Sequence, residues 1–189
     1  MSKSFWTKVT GRGLAQGDLL PGCLVPKFGA DFGTAGEGEA ETIELCELRL
    51  IVVTQSCDLE NGKVELVALC PVHTLEAFAA VNTKYQKHKE WDTVRKGRVE
   101  GLHMLGSPTD PDDNSSALVV DFGQIFSLPP AYLEKRAESL GERLRLDSPF
   151  LEHFSQAFAR YFMRVGLPSQ IPEFKKGQQT DNQLSPEAT

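Results

Sequence analysis

Residues 48–73, LRLIVVTQSCDLENGKVELVALCPVH, decide how this chain folds. Two apolar runs flank Asn61-Gly62, the dipeptide that most favours a tight type I′ hairpin turn. With that turn, Glu60 pairs with Lys63, Cys57 with Leu66, Val53 with Cys70 and Leu50 with His73. Strand alternation then places Val53, Gln55 and Cys57 on one face with Leu66, Ala68 and Cys70. Leu50, Val52, Thr54 and Ser56 share the other face with Val67 and Leu69. Both faces are largely apolar, so the hairpin is expected to be covered on both sides. The polar cluster Thr54-Gln55-Ser56-Cys57-Asp58 interrupts an otherwise apolar strand, and buried polar groups need partners or a task. Gln55, Ser56, Cys57 and Asp58 are therefore candidate binding residues.

Upstream, residues 15–27 (AQGDLLPGCLVPK) read as an edge strand, because Pro21 and Pro26 cannot donate ladder hydrogen bonds. Residues 28–42, Gly-rich and acidic, read as a mobile loop. Downstream, Leu75, Phe78, Val81 and Tyr85 predict a helix over 75–89, and around Trp91 to Leu105 the chain is expected to return to a strand ending in GLHML. Residues 106–115 are a loop. Residues 116–128 read as a strand pair, or one strand bent at Gly123, and Pro129-Pro130 opens a helix over 130–141. Pro149 in a first turn predicts a final helix over about 149–165, with Phe150, Phe154, Phe158, Tyr161, Phe162 and Val165 on one face. Residues 1–174 are expected to form one globular domain, and the nearly apolar-free residues 175–189 a disordered tail.

The chain has 189 residues, 40% hydrophobic and 24% charged, which is ordinary for a globular domain with a real core. No apolar run reaches the roughly 18 residues a membrane span needs. The N-terminal MSKSFWTKVTGRG has no apolar stretch of the kind a secretory signal carries. Four cysteines in that context point to reduced thiols and a cytoplasmic location. A net charge of −6 argues against wholesale coating of nucleic acid but leaves room for a local basic patch.

The order of these segments resembles the PemK/MazF-type small barrel of bacterial toxin–antitoxin systems. The matching pieces are Gly17-Asp18-Leu19, then Arg49-Leu50-Ile51-Val52-Val53, then Ala68-Leu69-Cys70-Pro71-Val72-His73. Residues 116–125 (SALVVDFGQI) and the helix after Ser148 follow, so the resemblance covers about residues 15–165. The hairpin also resembles an uncharacterised bacterial family with a TQSCDL motif. The resemblance implies an α+β fold: a small, strongly curved antiparallel β-barrel, SH3-like or PemK-like, with a connecting helix and a C-terminal amphipathic helix. It implies RNA cleavage by Arg49 with the residue after the Pro-hydrophobic pair. That position holds His73, followed by Thr74, and the Pro that follows the Arg in the family is Leu50 here.

Three chemistries compete for these residues. RNA cleavage by 2′-OH attack needs a base, an acid and a cation. Arg49, His73 and Thr74 are the candidates, although Arg49 and His73 point to opposite faces of a regular strand pair. A zinc site would draw on Cys46, Cys57, Cys70 and His73. The hairpin separates Cys57 from Cys70 by about 13 Å at roughly 3.3 Å per residue, too far for one tetrahedral site, so no metal or other cofactor is expected. A Cys57-Asp58 nucleophile lacks a local histidine, and a carboxylate beside the thiol opposes thiolate formation. Lys84, Lys87, Arg95 and Arg98, in a basic stretch interleaved with Tyr85 and Trp91, are candidate nucleic-acid contacts. Arg160 and Arg164, four apart, offer a small anion-binding edge. The expected function is a nucleic-acid-interacting domain, a metal-independent endoribonuclease of a toxin or defence-type system. The alternatives are a non-catalytic adaptor whose partner protein docks on the Gln55–Asp58 edge and the acidic loop, and a zinc or thiol switch. The expected partners are RNA or a protein and not a membrane, with a homodimer among the options.

Overall fold

Strands β3 (Glu44–Val52) and β4 (Val67–Thr74) form the centre of the molecule, but not as a two-residue hairpin. In the computed structural model, which describes residues 4–34, 36, 42–109 and 116–163, the chain leaves β3 at Val52 and forms a short helix, α1 (Ser56–Glu60). Asn61 ends that helix, its backbone N–H donating to Cys57 O. The observed pairs are Leu50 with Pro71, Ile51 with Cys70 and Val52 with Leu69. The hairpin expected at Asn61-Gly62 is thus corrected by a register shift of two residues, because α1 takes up chain that a hairpin would have paired. An even shift keeps every side chain on its face. Leu50, Val52, Val67 and Leu69 still pack together, and Ile51, Val53 and Cys70 still face the other way.

The remaining elements are β1 (Trp6–Thr10), β2 (Leu19–Lys27), α2 (Leu75–Val81), α3 (His88–Arg95), β5 (Leu102–Leu105), β6 (Leu118–Asp121), β7 (Phe126–Leu128), α4 (Pro130–Leu140), β8 (Glu142–Leu146) and α5 (Phe150–Phe162). A 3-10 turn, Thr83–Gln86, joins α2 to α3, so the single helix expected over 75–89 is broken at Asn82. The main sheet runs β2-β3-β4-β6-β5, with β7 paired to β4 beside β6. One edge of β4 is divided between two short strands: β7 takes 67–69 and β6 takes 72–74. Strands β1 and β8 form a separate antiparallel pair.

The sheet is open, and the barrel implied by the resemblance is not formed. No pairing among the described residues joins edge strand β2 to edge strand β5. The physical reason lies in β2. Pro21 and Pro26 lack N–H groups, and α4 occupies the polar groups between them. Leu24 N donates to the Tyr132 hydroxyl at 2.7 Å, and Arg136 Nε donates to Pro21 O at 2.8 Å. The register slips between Leu20 and Cys23. Gly22 bulges there at φ +70°, where a Cβ would collide with Arg136. An edge blocked in this way cannot accept another strand. The β1–β8 pair makes one backbone bridge among the described residues to the segment just before β2, Asp18 with Arg145. At the end of β5 it packs against Leu105, and Trp6 Nε1 donates to Gly106 O at 3.0 Å.

Helices cover both faces of the open sheet. On one face Ile51, Val53, Cys70, Val72, Leu118 and Val120 meet α5, whose Leu151, Phe154, Phe158 and Tyr161 recur at helical spacing. Phe154 is 0% exposed, and such burial stabilises by about 1.5–3 kcal/mol. On the other face α4 seals Leu50, Val52, Val67 and Leu69 with Leu133 and Ala137. Beside it, Phe78, Tyr85 and Val94 of the α2–α3 unit close over Val119. The stripe read over 149–165 is partly correct: Phe162 is half-exposed, and Val165 lies outside the described residues. The tail at 175–189 and residues 37–41 of the predicted loop also lie outside them.

Candidate functional site

The polar cluster after β3 is largely structural. Thr54 Oγ1 accepts from Ala68 N at 2.8 Å, closing the end of the β3–β4 ladder. Ser56 Oγ accepts from Gln16 N at 3.1 Å, and Gln16 Nε2 donates to Val53 O at 3.0 Å. Two hydroxyls thus satisfy backbone groups that the strand leaves unpaired. Gln55 and Cys57 are exposed. The Cys57 thiol lies 3.7 Å from Gln55 Oε1 and 3.9 Å from Asp58 Oδ1, both weak contacts.

Arg49 and His73 are each half-buried, with no hydrogen bond between them among the described residues. Burial pushes the His73 pKa down, the Asp121 carboxylate opposes that shift, and the Arg49 charge adds to it. Asp121 is itself held by Gly123 N at 2.8 Å and Gln124 Nε2 at 3.1 Å. Thr74 caps α2: its Oγ1 accepts from Ala77 N at 3.1 Å. Among the described residues no group of three or more His, Cys, Asp or Glu side chains is placed to hold a metal ion.

In the basic stretch, Lys84, Lys87, Arg95 and Arg98 are all exposed. The aromatic rings between them are not a stacking platform. Tyr85 is buried against Phe78 and Trp91, with ring centroids 5.3 and 5.1 Å away. Arg95 and Lys96 are drawn to Asp92 at 2.7 and 2.5 Å. Those two hydrogen bonds lower the Asp92 pKa to about 2. Arg98 and Lys87 carry no ion pair among the described residues.

The feature that reading the sequence missed lies where this stretch ends. Lys96, Gly97 and Glu100 form one wall of a cleft of about 490 Å3, whose other walls are β5–β6 and α5. A volume of that order suits a small ligand. His103 and Phe122 line it from the sheet, and His153, Arg160 and Tyr161 from the helix. His103 is packed between rings, its centroid 6.1 Å from Phe122 and 5.8 Å from Phe154. Burial, and then the nearby His153 and Arg160, push its pKa down to about 4. Gly101 lets the backbone close against α5: its φ is +86°, and a Cβ there would lie 3.1 Å from Tyr161 Cε2. The spacing of His153 and Arg160, seven residues apart, was a readable sign of a shared helix face. Their meeting with His103 and Lys96 was not.

The basic stretch that leads into the cleft contrasts with an acidic segment earlier in the chain. Residues 31–65 hold nine acidic and two basic residues, whereas 83–100 hold six basic and three acidic. No helix among the described residues is long and apolar enough to cross a membrane. The expected kinship with PemK/MazF toxins, and with it the toxin–antitoxin assignment, is overturned together with the barrel it implied. No family model, no curated protein and no solved structure matches this chain.

Proposed function

We propose that this chain is a nucleic-acid-binding domain that contacts single-stranded RNA along the exposed basic residues of 84–98 and the adjoining cleft. The observation that carries this reading is contiguity: the basic segment runs into a cleft that also holds Arg160 and two histidines. Exposed Lys84, Lys87 and Arg98 supply phosphate contacts. The four described cysteines are free thiols, which supports a cytoplasmic setting. Fluorescence anisotropy with a labelled single-stranded RNA, at two or more salt concentrations, tests the reading. Affinity should fall with salt, and Lys87→Glu with Arg98→Glu should weaken binding several-fold. Salt-independent binding, or full affinity in the double variant, rejects it.

One observation favours a second reading. Leu24, Phe28, Phe32, Ile43 and Leu45 are exposed near the open end of the β2–β3 pair, with Leu45 62% exposed. They lie in or beside the acidic segment 31–65, as a docking arm for a partner protein with a basic surface would. Phe28→Ser with Leu45→Ser should abolish capture of such a partner without changing RNA affinity. If wild type and variant capture the same proteins, the arm is not a docking site.

A further inference from the structure

The cleft beside α5 is built differently from a groove that a strand passes through. It is walled on three sides, by the Lys96–Glu100 turn, by β5–β6 and by α5. We infer that, given the RNA-binding reading above, this cleft receives a strand end and holds its terminal phosphate monoester. Arg160, exposed and without an ion-pair partner among the described residues, is the principal phosphate ligand. Lys96, shared with Asp92, and His153 flank it. Glu100 is the acidic group in the lining.

Charge selects the monoester. A terminal phosphate carries about −1.5 to −2 at neutral pH, against one negative charge on an internal diester. Asp92 already holds Lys96, so Arg160 carries the attraction, and a guanidinium attracts a doubly charged group more strongly than a singly charged one. Arg160 can offer two parallel N–H donors, a geometry suited to phosphate oxygens. The cleft floor adds a neutral polar group. His103, held uncharged among aromatic rings, can donate one ring N–H without bringing a further charge that needs solvation. Phe122 and Tyr161 give the terminal sugar an apolar wall.

The test uses the full chain and one single-stranded RNA in three forms: 5′-phosphorylated, 3′-phosphorylated and unphosphorylated. At least one phosphorylated form should bind roughly tenfold more tightly, as expected for a charge-assisted hydrogen-bonded contact. Arg160→Gln and His153→Gln, both at exposed helix positions, should each shrink that difference. Equal affinity for all three forms, or a phosphate preference that survives both substitutions, overturns the inference while leaving RNA binding in place. Binding of none of the three rejects the RNA reading itself. Displacement of the RNA by an equal concentration of adenosine monophosphate would make this a free-nucleotide site and would overturn the strand-end assignment.

Discussion

Asp18 and Arg143 form a buried ion pair in which Arg143 Nε and Nη2 both donate to Asp18 Oδ2, at 3.1 and 3.0 Å. Arg145 donates to the same carboxylate from the other side, Nε to Oδ1 at 2.5 Å and Nη2 to Oδ2 at 2.9 Å. Ala15 N adds a further bond to Oδ2 at 3.0 Å. Arg143 also donates from Nη1 to Gly11 O and from Nη2 to Gly13 O. The cluster joins the β1–β8 pair to the start of β2, where the described residues make one backbone bridge.

Removing the carboxylate leaves Arg143 buried and unpaired. Asp18→Asn should therefore destabilise the fold by about 3–5 kcal/mol, the usual cost of breaking a buried pair on one side. Urea unfolding of the two proteins measures it. A loss below about 1 kcal/mol would mean that water reaches Arg143.

Phe154 anchors α5 against the sheet with no exposed surface. Phe154→Ala should cost about 3–5 kcal/mol, through lost transfer energy and the cavity left behind. Because α5 forms one wall of the cleft, RNA affinity should fall as well. Calorimetric unfolding paired with anisotropy checks both, and normal stability in the variant would place α5 outside the cooperative core.

Acid should destabilise the protein through its histidines. His103 has a folded-state pKa of about 4, against 6.5 for an ordinary histidine. Between those values the unfolded chain binds the extra proton. The stabilisation is therefore fully present above pH 6.5 and is lost as pH falls towards 4. Its size is on the order of 3 kcal/mol. His73, also shifted down, acts in the same direction. Stability measured from pH 7.5 to 4.5 should fall more steeply in wild type than in His103→Gln. Parallel curves would show that His103 is solvated.

The four thiols should separate by reactivity. Burial pushes Cys70 up to about 12 and Cys23 up to about 11, so neither forms thiolate in the native state. Cys57 is exposed and Cys46 half-buried. Alkylation of the folded protein, followed by peptide mass spectrometry, should label Cys57 first, Cys46 more slowly, and Cys23 and Cys70 only in denaturant. Early labelling of Cys70 would contradict the packing between β3 and β4.

Some of this structure was legible locally. Alternation assigned Leu50, Val52, Val67 and Leu69 to one face and Val53 and Cys70 to the other, and those assignments survive the register shift. Pro21 and Pro26 marked β2 as an edge, and Pro129-Pro130 marked the start of α4. Strands β1 and β8 were not foreseen: Trp6–Thr10 is a short mixed run, and Glu142–Leu146 alternates charged residues with leucines. Arg143 and Arg145 of β8 turn onto Asp18, a partner more than 120 residues away in the chain. Among the candidate residues, Thr54, Ser56 and Thr74 proved to serve the backbone, a use that depends on which N–H groups lie nearby.

By itself the sequence determined the two faces of β3 and β4, the edge character of β2, and the start of α4 at its proline pair. Each of these follows from a pattern within a few neighbouring residues, governed by strand and helix periods and by proline. Tertiary structure alone decided that the β3–β4 register slips by two, that the sheet stays open, and that His103 meets His153, Arg160 and Lys96 in one cleft. Those outcomes depend on contacts between segments tens of residues apart. There the competition for backbone hydrogen bonds, such as that of Tyr132 and Arg136 for the edge of β2, outweighs any local preference.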